Sequence, residues 1–82
     1  MVKTLIDLKS GQSGRVVEIQ GGVGASGRIQ NIGIRVGKKI KKVNTHFRKG
    51  PQTVLVDNFK VAIGFGMASK IIVEVDKDDG HK

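Results

Sequence analysis

The chain of 82 residues has no cysteine, no tryptophan, no tyrosine and a single proline. Without cysteine there are no disulfides, Fe–S clusters, thiolate zinc sites or cysteine nucleophiles. Small secreted domains lean on such staples, so a reducing, cytoplasmic compartment is expected. Three phenylalanines form the whole aromatic complement, a thin inventory for stacking nucleic-acid bases. No apolar run approaches the roughly 20 residues of a membrane-spanning helix, and Met1-Val2-Lys3-Thr4 leads into no signal-peptide core. Histidine is scarce too, with only His46 and His81. His46 lies in a basic loop with no carboxylate nearby in sequence to orient it, so the nucleophile–base–orienter set of a hydrolase is missing. A chain of this length is expected to form one domain, over residues 1–76, with 77–82 as a polar tail. What remains is a soluble binding module rather than an enzyme.

Acids are few: 7 Asp+Glu against 15 Lys+Arg, a formal net charge of +8. The imbalance is local. Between Arg28 and Lys49 stand eight basic residues (Arg28, Arg35, Lys38, Lys39, Lys41, Lys42, Arg48, Lys49) and no acid. Four of the seven acids fall in residues 74–82, so the body before them carries 13 basic and 3 acidic side chains, a formal +10. Such a field favours an anionic partner: an acidic protein face, phosphates, nucleic acid or an anionic membrane surface.

Periodicity gives five short strands. Residues 15–19 read as a strand with Val17 and Ile19 on one face. Residues 38–45 form a basic strand whose apolar Ile40 and Val43 are three apart, which suggests a bulge. Residues 52–56 alternate with Val54 and Val56 facing in, 59–65 with Val61 and Ile63, and the last strand with Ile71, Val73 and Val75. Phe59 and Phe65 fit core positions in that pattern. Thr4-Leu5-Ile6-Asp7-Leu8 can form one helical turn with Thr4 as cap. A helix over 25–32, with Ile29 and Ile32 on its apolar side, ends at Gly33 in a left-handed conformation. Asp57-Asn58 reads as a tight turn, and 66–69 as a single helical turn. Five strands close most economically as a mostly β, SH3-like small barrel with one short helical insertion after the first strand.

Gly22-Val23-Gly24-Ala25-Ser26-Gly27 matches G-x-G-x-x-G. A dinucleotide fold needs a doubly wound sheet and an acid about 20 residues on; this chain has neither, and the motif reads as a strand-to-helix turn. The same stretch lacks the lysine and Ser/Thr of a Walker loop, with Arg28 and Ile29 in their places. No H-x-x-H, H-E-x-x-H or calcium-loop spacing occurs. No tightly bound cofactor is therefore expected, and His46 is the weak candidate for a loose divalent site. A basic barrel that binds nucleic acid is the alternative function, with Phe47 between His46 and Arg48 as its stacking residue.

Thr4-Leu5-Ile6-Asp7-Leu8-Lys9-Ser10-Gly11, residues 28–37 and the close around Ile63, Ala68 and Ile71-Ile72-Val73, taken in order, resemble the FeoA family, the small ferrous iron transport protein A domain. Thr4-Leu5-Ile6-Asp7-Leu8-Lys9-Ser10-Gly11 resembles the family's opening T-L-x-x-L-x-x-G, and Gly14-Arg15-Val16-Val17 follows it. Arg28-Ile29-Gln30-Asn31-Ile32-Gly33-Ile34-Arg35-Val36-Gly37 resembles its most characteristic stretch, an apolar helix ending in L/M-G-L/I-x-x-G. Ile63, Ala68 and Ile71-Ile72-Val73 fit its close. The resemblance implies an SH3-like barrel and a cytoplasmic accessory protein, peripheral to the membrane through its partner, a FeoB-type GTP-binding iron transporter. The same barrel also ends iron-dependent repressors of the DtxR type. The expected contact surface is Arg28, Ile34, Arg35, Lys38, Lys39, Phe47 and Arg48, with its backbone shaped by Gly22, Gly24, Gly33 and Gly37. Asn31 stands where the family often has an acid, and 46–50 is more basic than usual.

Overall fold

A computed structural model describes residues 1–43 and 50–76. Its elements are β1 (Val2–Thr4), a 3-10 turn (Leu5–Asp7), β2 (Ser13–Ile19), α1 (Gly22–Asn31), β3 (Lys39–Lys42), β4 (Gln52–Val56), β5 (Phe59–Ile63), α2 (Phe65–Ala68) and β6 (Ile71–Val75). Six strands form one antiparallel sheet in the order β1-β6-β2-β3-β4-β5. The fold is mostly β with an SH3-like arrangement, and it has one strand more than the periodicity predicts. The extra strand is β1, which pairs Val2, Lys3 and Thr4 with Glu74, Val73 and Ile72. Three residues are too few to show a period.

β4 and β6 follow the alternation read from the sequence: Val54, Val56, Ile71, Val73 and Val75 all point into the core. β2 does not. Its register against β6 slips between Val16, opposite Val73, and Glu18, opposite Ile72. Val17 is the extra residue of a bulge and lies exposed, while Val16 and Ile19 take the inner side. The bulge expected in β3 is absent, because period two continues there through Lys42, which is buried beside Ile40. The predicted strand ran to residue 45; residues 44–49, like 77–82, lie outside those described.

The first helical turn and the Asp57-Asn58 turn are found as expected, except that Thr4 precedes its turn without a side-chain capping hydrogen bond and its hydroxyl instead donates to Asp7 Oδ2 at 3.4 Å. Asp57 and Asn58 both have positive φ, 52° and 71°, the type I′ geometry whose twist suits a two-residue hairpin. Phe59, expected in the core, is 72% exposed. It occupies an inward register position opposite Val56, but at the end of the sheet, where no element among those described covers it. Phe65 opens α2 rather than ending a strand and is also exposed. α1 starts three residues earlier than predicted and buries Ile29 alone; Ile32 is exposed. The 3-10 turn and α2 pack on each other, with Leu5 and Ala68 fully buried.

Candidate partner-binding surface

The segment between α1 and β3 carries most of the predicted contact residues. Gly33, at φ +93°, ends the helix by reversing the chain. Its amide donates to the Gln30 carbonyl at 2.9 Å, and that of Ile34 donates to the Ile29 carbonyl at 3.3 Å. This C-terminal closure turns Ile34 inward, where it is fully buried. Ile34 therefore supports the surface from beneath and cannot touch a partner, contrary to its place in the expected contact set.

The next four residues form a β-turn. The Lys38 amide donates to the Arg35 carbonyl at 3.0 Å, and Gly37 has φ +96°, as the third position of a type II turn requires. β2 clamps this turn in place. The Gly37 amide donates to the Val16 carbonyl at 2.7 Å, and the Val16 amide to the Lys38 carbonyl at 2.9 Å. Arg15 Nη1 adds a third bond, to the Gly37 carbonyl, at 2.8 Å. Arg35 and Val36 are left at the exposed tip, Val36 at 62% exposure. An open cleft of about 310 Å³ is lined by Arg35, Val36, Gly37, Lys38 and Lys39.

The lysines of this surface are engaged. Lys38 Nζ lies 2.8 Å from Asp57 Oδ2, and Lys39 Nζ lies 2.9 Å from Asp76 Oδ2. The hydrogen bond from Lys39 holds the Asp76 carboxyl below its ordinary value, against desolvation, with Ser13 and nearby Arg15 adding to the effect. Arg28, in the last turn of α1, and Arg35 form no ion pair among the described residues. These two guanidiniums, with planar forks for carboxylate or phosphate, are the side chains most ready for a partner.

The structure thus brings together Arg35, Gly37, Lys38 and Lys39, with Gly33 and Arg28 leading into them. Gly22 and Gly24 lie toward the opposite end of α1, about 13 Å and about 10 Å from Asn31 at 1.5 Å per residue. Gly22 has φ +78° and shapes the turn into the helix, whereas Gly24 is an ordinary helical residue. There a separate cleft of about 460 Å³ is lined by Ile19, Gly22, Val23, Ser26, Gly27 and Gln30. His46, Phe47 and Arg48 lie outside the described residues. Arg15 and Val36 were missed by sequence reasoning; the pairing of Arg15 opposite Lys39 is the signal that links β2 to this turn.

The outer face of the sheet is basic as well. Cross-strand register sets Arg15 beside Lys39, Lys41 beside Leu55, and Leu55 beside Lys60. No aromatic side chain stands on this face among the described residues, so it offers no stacking platform there. Among the described residues no three His, Cys, Asp or Glu side chains converge as metal ligands, and no helix is long and apolar enough to cross a membrane.

The FeoA domain model matches residues 3–75. A Methanocaldococcus jannaschii protein named "Putative Fe(2+) transport protein A" is 36% identical over 66 residues, covering 80% of this chain and 78% of its own. The crystal structure of an "Iron Uptake Regulatory Protein (FeoA)" superposes with a TM-score of 0.85 at 30% identity, over 93% of this chain and 99% of that one. A manganese-dependent transcriptional repressor shares the fold, with a TM-score of 0.81 at 21% identity; the match spans 92% of this chain but only 42% of the repressor. By the match to the domain model and the identity with the archaeal relative, the chain belongs to the FeoA family of ferrous iron transport.

Proposed function

We propose that this chain is a non-enzymatic accessory protein of ferrous iron uptake, docking on the cytosolic region of a FeoB-type GTP-binding membrane transporter. The observation that carries this reading is the FeoA match across residues 3–75. The clamped turn supports it: three hydrogen bonds from or to β2 hold Gly37 and Lys38, so Arg35 and Val36 are presented without a large ordering cost on binding. Arg28, Arg35, Lys38 and Lys39 supply charge, and Phe47 and Arg48 belong to the same proposed contact set. Gly33 and Gly37 set the backbone. Iron is the cargo of the partner, and this domain holds no tightly bound cofactor; His46 is the one candidate for a loose contact with a divalent ion such as Fe2+. The protein works in the cytoplasm, at the inner face of the membrane when its partner is engaged.

The test is capture of the purified chain by the transporter's cytosolic region at low and moderate salt. Retention that falls with salt, and that is lost in the double variant R35E/K39E, is the expected result. Equal capture of native and variant chains would remove the turn from the interface. No capture at either salt would remove the transporter.

A further inference from the structure

β5 is the last strand of the sheet, paired on one side only. The closing turn of the hairpin determines which of its backbone groups are unused. Asp57 and Asn58 form a two-residue type I′ turn, and such a turn is closed by a hydrogen bond between the residues flanking it. Val56 and Phe59 are therefore a hydrogen-bonded pair. Antiparallel pairs alternate, so Lys60, opposite Leu55, and Ala62, opposite Thr53, are non-bonded positions. Their N–H and C=O groups point away from β4, and no backbone partner for them exists among the described residues. Both residues are exposed.

We infer that this edge accepts an extended segment of a partner protein as a seventh strand, and that the segment alternates acidic and apolar residues. The side chains of β5 specify that pattern. Lys60 stands on the outer face, in a row with Leu55 and Lys41, so a carboxylate on the added strand meets a lysine there. Phe59 and Val61 stand on the inner face, Phe59 at 72% exposure and Val61 half-buried against the core. Apolar residues of the added strand cover them. Main-chain bonds supply affinity, and the alternate side chains supply selection. A second copy of this chain is a poor occupant: each copy carries +8, and antiparallel pairing of two β5 edges brings two copies of Lys60 to the same face. The inference rests on the geometry of β5 and not on the transporter reading, so either can fail alone.

The full chain, labelled with 15N, is titrated with the peptide Glu-Val-Glu-Val-Glu-Val-Glu, capped at both ends. Slowed hydrogen exchange at the Lys60 and Ala62 amides is expected, with shifts concentrated on β5. The same peptide with alternate amides N-methylated should bind at least about tenfold more weakly, because it cannot complete the ladder. So should the native peptide with A62P, which removes an outward donor without touching the β4 ladder. The Lys-Val counterpart should not bind. Equal binding of the N-methylated peptide, binding unaffected by A62P, or protection of Lys60 and Ala62 through self-association without peptide would each overturn the inference. So would the absence of protection on titration.

Discussion

Lys42 and Gln52 meet inside the protein, Nζ to Oε1 at 2.7 Å, with both side chains almost wholly shielded from water. The ammonium also donates to the Leu8 carbonyl at 2.9 Å and, more distantly, to that of Ile6 at 3.4 Å. Gln52 in turn donates through Nε2 to the Gly50 carbonyl at 2.9 Å. One buried cation thus fastens the 3-10 turn near the N-terminus to β3 and β4, and reaches the end of the loop between them.

Replacing Lys42 with methionine keeps the stem but leaves these acceptors without a donor. K42M should lose about 1–3 kcal/mol of stability, the usual cost of stranding buried polar groups. Q52L should lose a similar amount. Because the two side chains share one network, the double variant should lose less than the sum. Urea denaturation of the four proteins measures this, and strict additivity would show that the residues act apart.

The pH dependence has a definite sign. Burial pulls the Lys42 ammonium below 10.5, with the charge of Asp7 opposing it. Between that lowered value and 10.5 the unfolded chain binds more protons than the folded one, so stability rises with pH. Below this window the penalty is complete and constant. The stability difference between native protein and K42M should therefore grow as pH approaches 10.5. A difference that stays level across the alkaline range would contradict the burial of this charge.

Asp76 behaves in the opposite sense. Its folded-state value lies below 3.8, chiefly through the hydrogen bond from Lys39. Stability from this group is present above 3.8 and is lost as pH falls through the lower folded value. The pair is at the surface, so D76N should cost no more than about 1 kcal/mol at neutral pH and flatten the acid limb of the stability curve. Added salt should shrink the difference.

Two sets of glycines should respond oppositely to alanine. A Cβ at Gly14 would lie 2.4 Å from the Glu74 carbonyl oxygen and 2.6 Å from Val73 Cγ1, where β2 lies against β6. G14A should destabilise by about 1–3 kcal/mol, since the sheet backbone must shift to admit it. Gly24 and Gly27 are helical, with nothing within 4 Å of such a Cβ. G24A and G27A should each raise stability by about 0.5–1 kcal/mol. Thermal melts of the three variants test the contrast.

Much of the sheet is written plainly in the sequence. Ile71, Val73 and Val75, or Val54 and Val56, announce their face because nothing interrupts the period of two. β2 misleads because the bulge at Val17 shifts the phase within a single strand, and only the partner strand reveals the shift. Lys42 misleads more deeply. A lysine in a basic strand reads as solvated, and its three acceptors lie on segments distant in sequence. At the candidate site the turn glycines were legible, since Gly33 and Gly37 are needed where only positive φ reverses the chain. Ile34 was not, because an apolar residue between a glycine and an arginine looks like a turn tip until the helix closure directs it inward.

α1 inserts ten residues between β2 and the clamped turn, yet its hold on the rest is slight. Three of the ten are glycine, no side chain caps its N-terminus, and Ile29 is its one buried residue. Its opening should therefore be far less costly than opening of the sheet, and its amides should exchange through brief local excursions while the β ladders stay closed. Because Gly33 and Ile34 tie its last turn to the core, such excursions start at Gly22 and run toward Arg28. The Arg28 guanidinium thus stands where a loosely held arm meets its anchor, whereas that of Arg35 sits on a fixed mount.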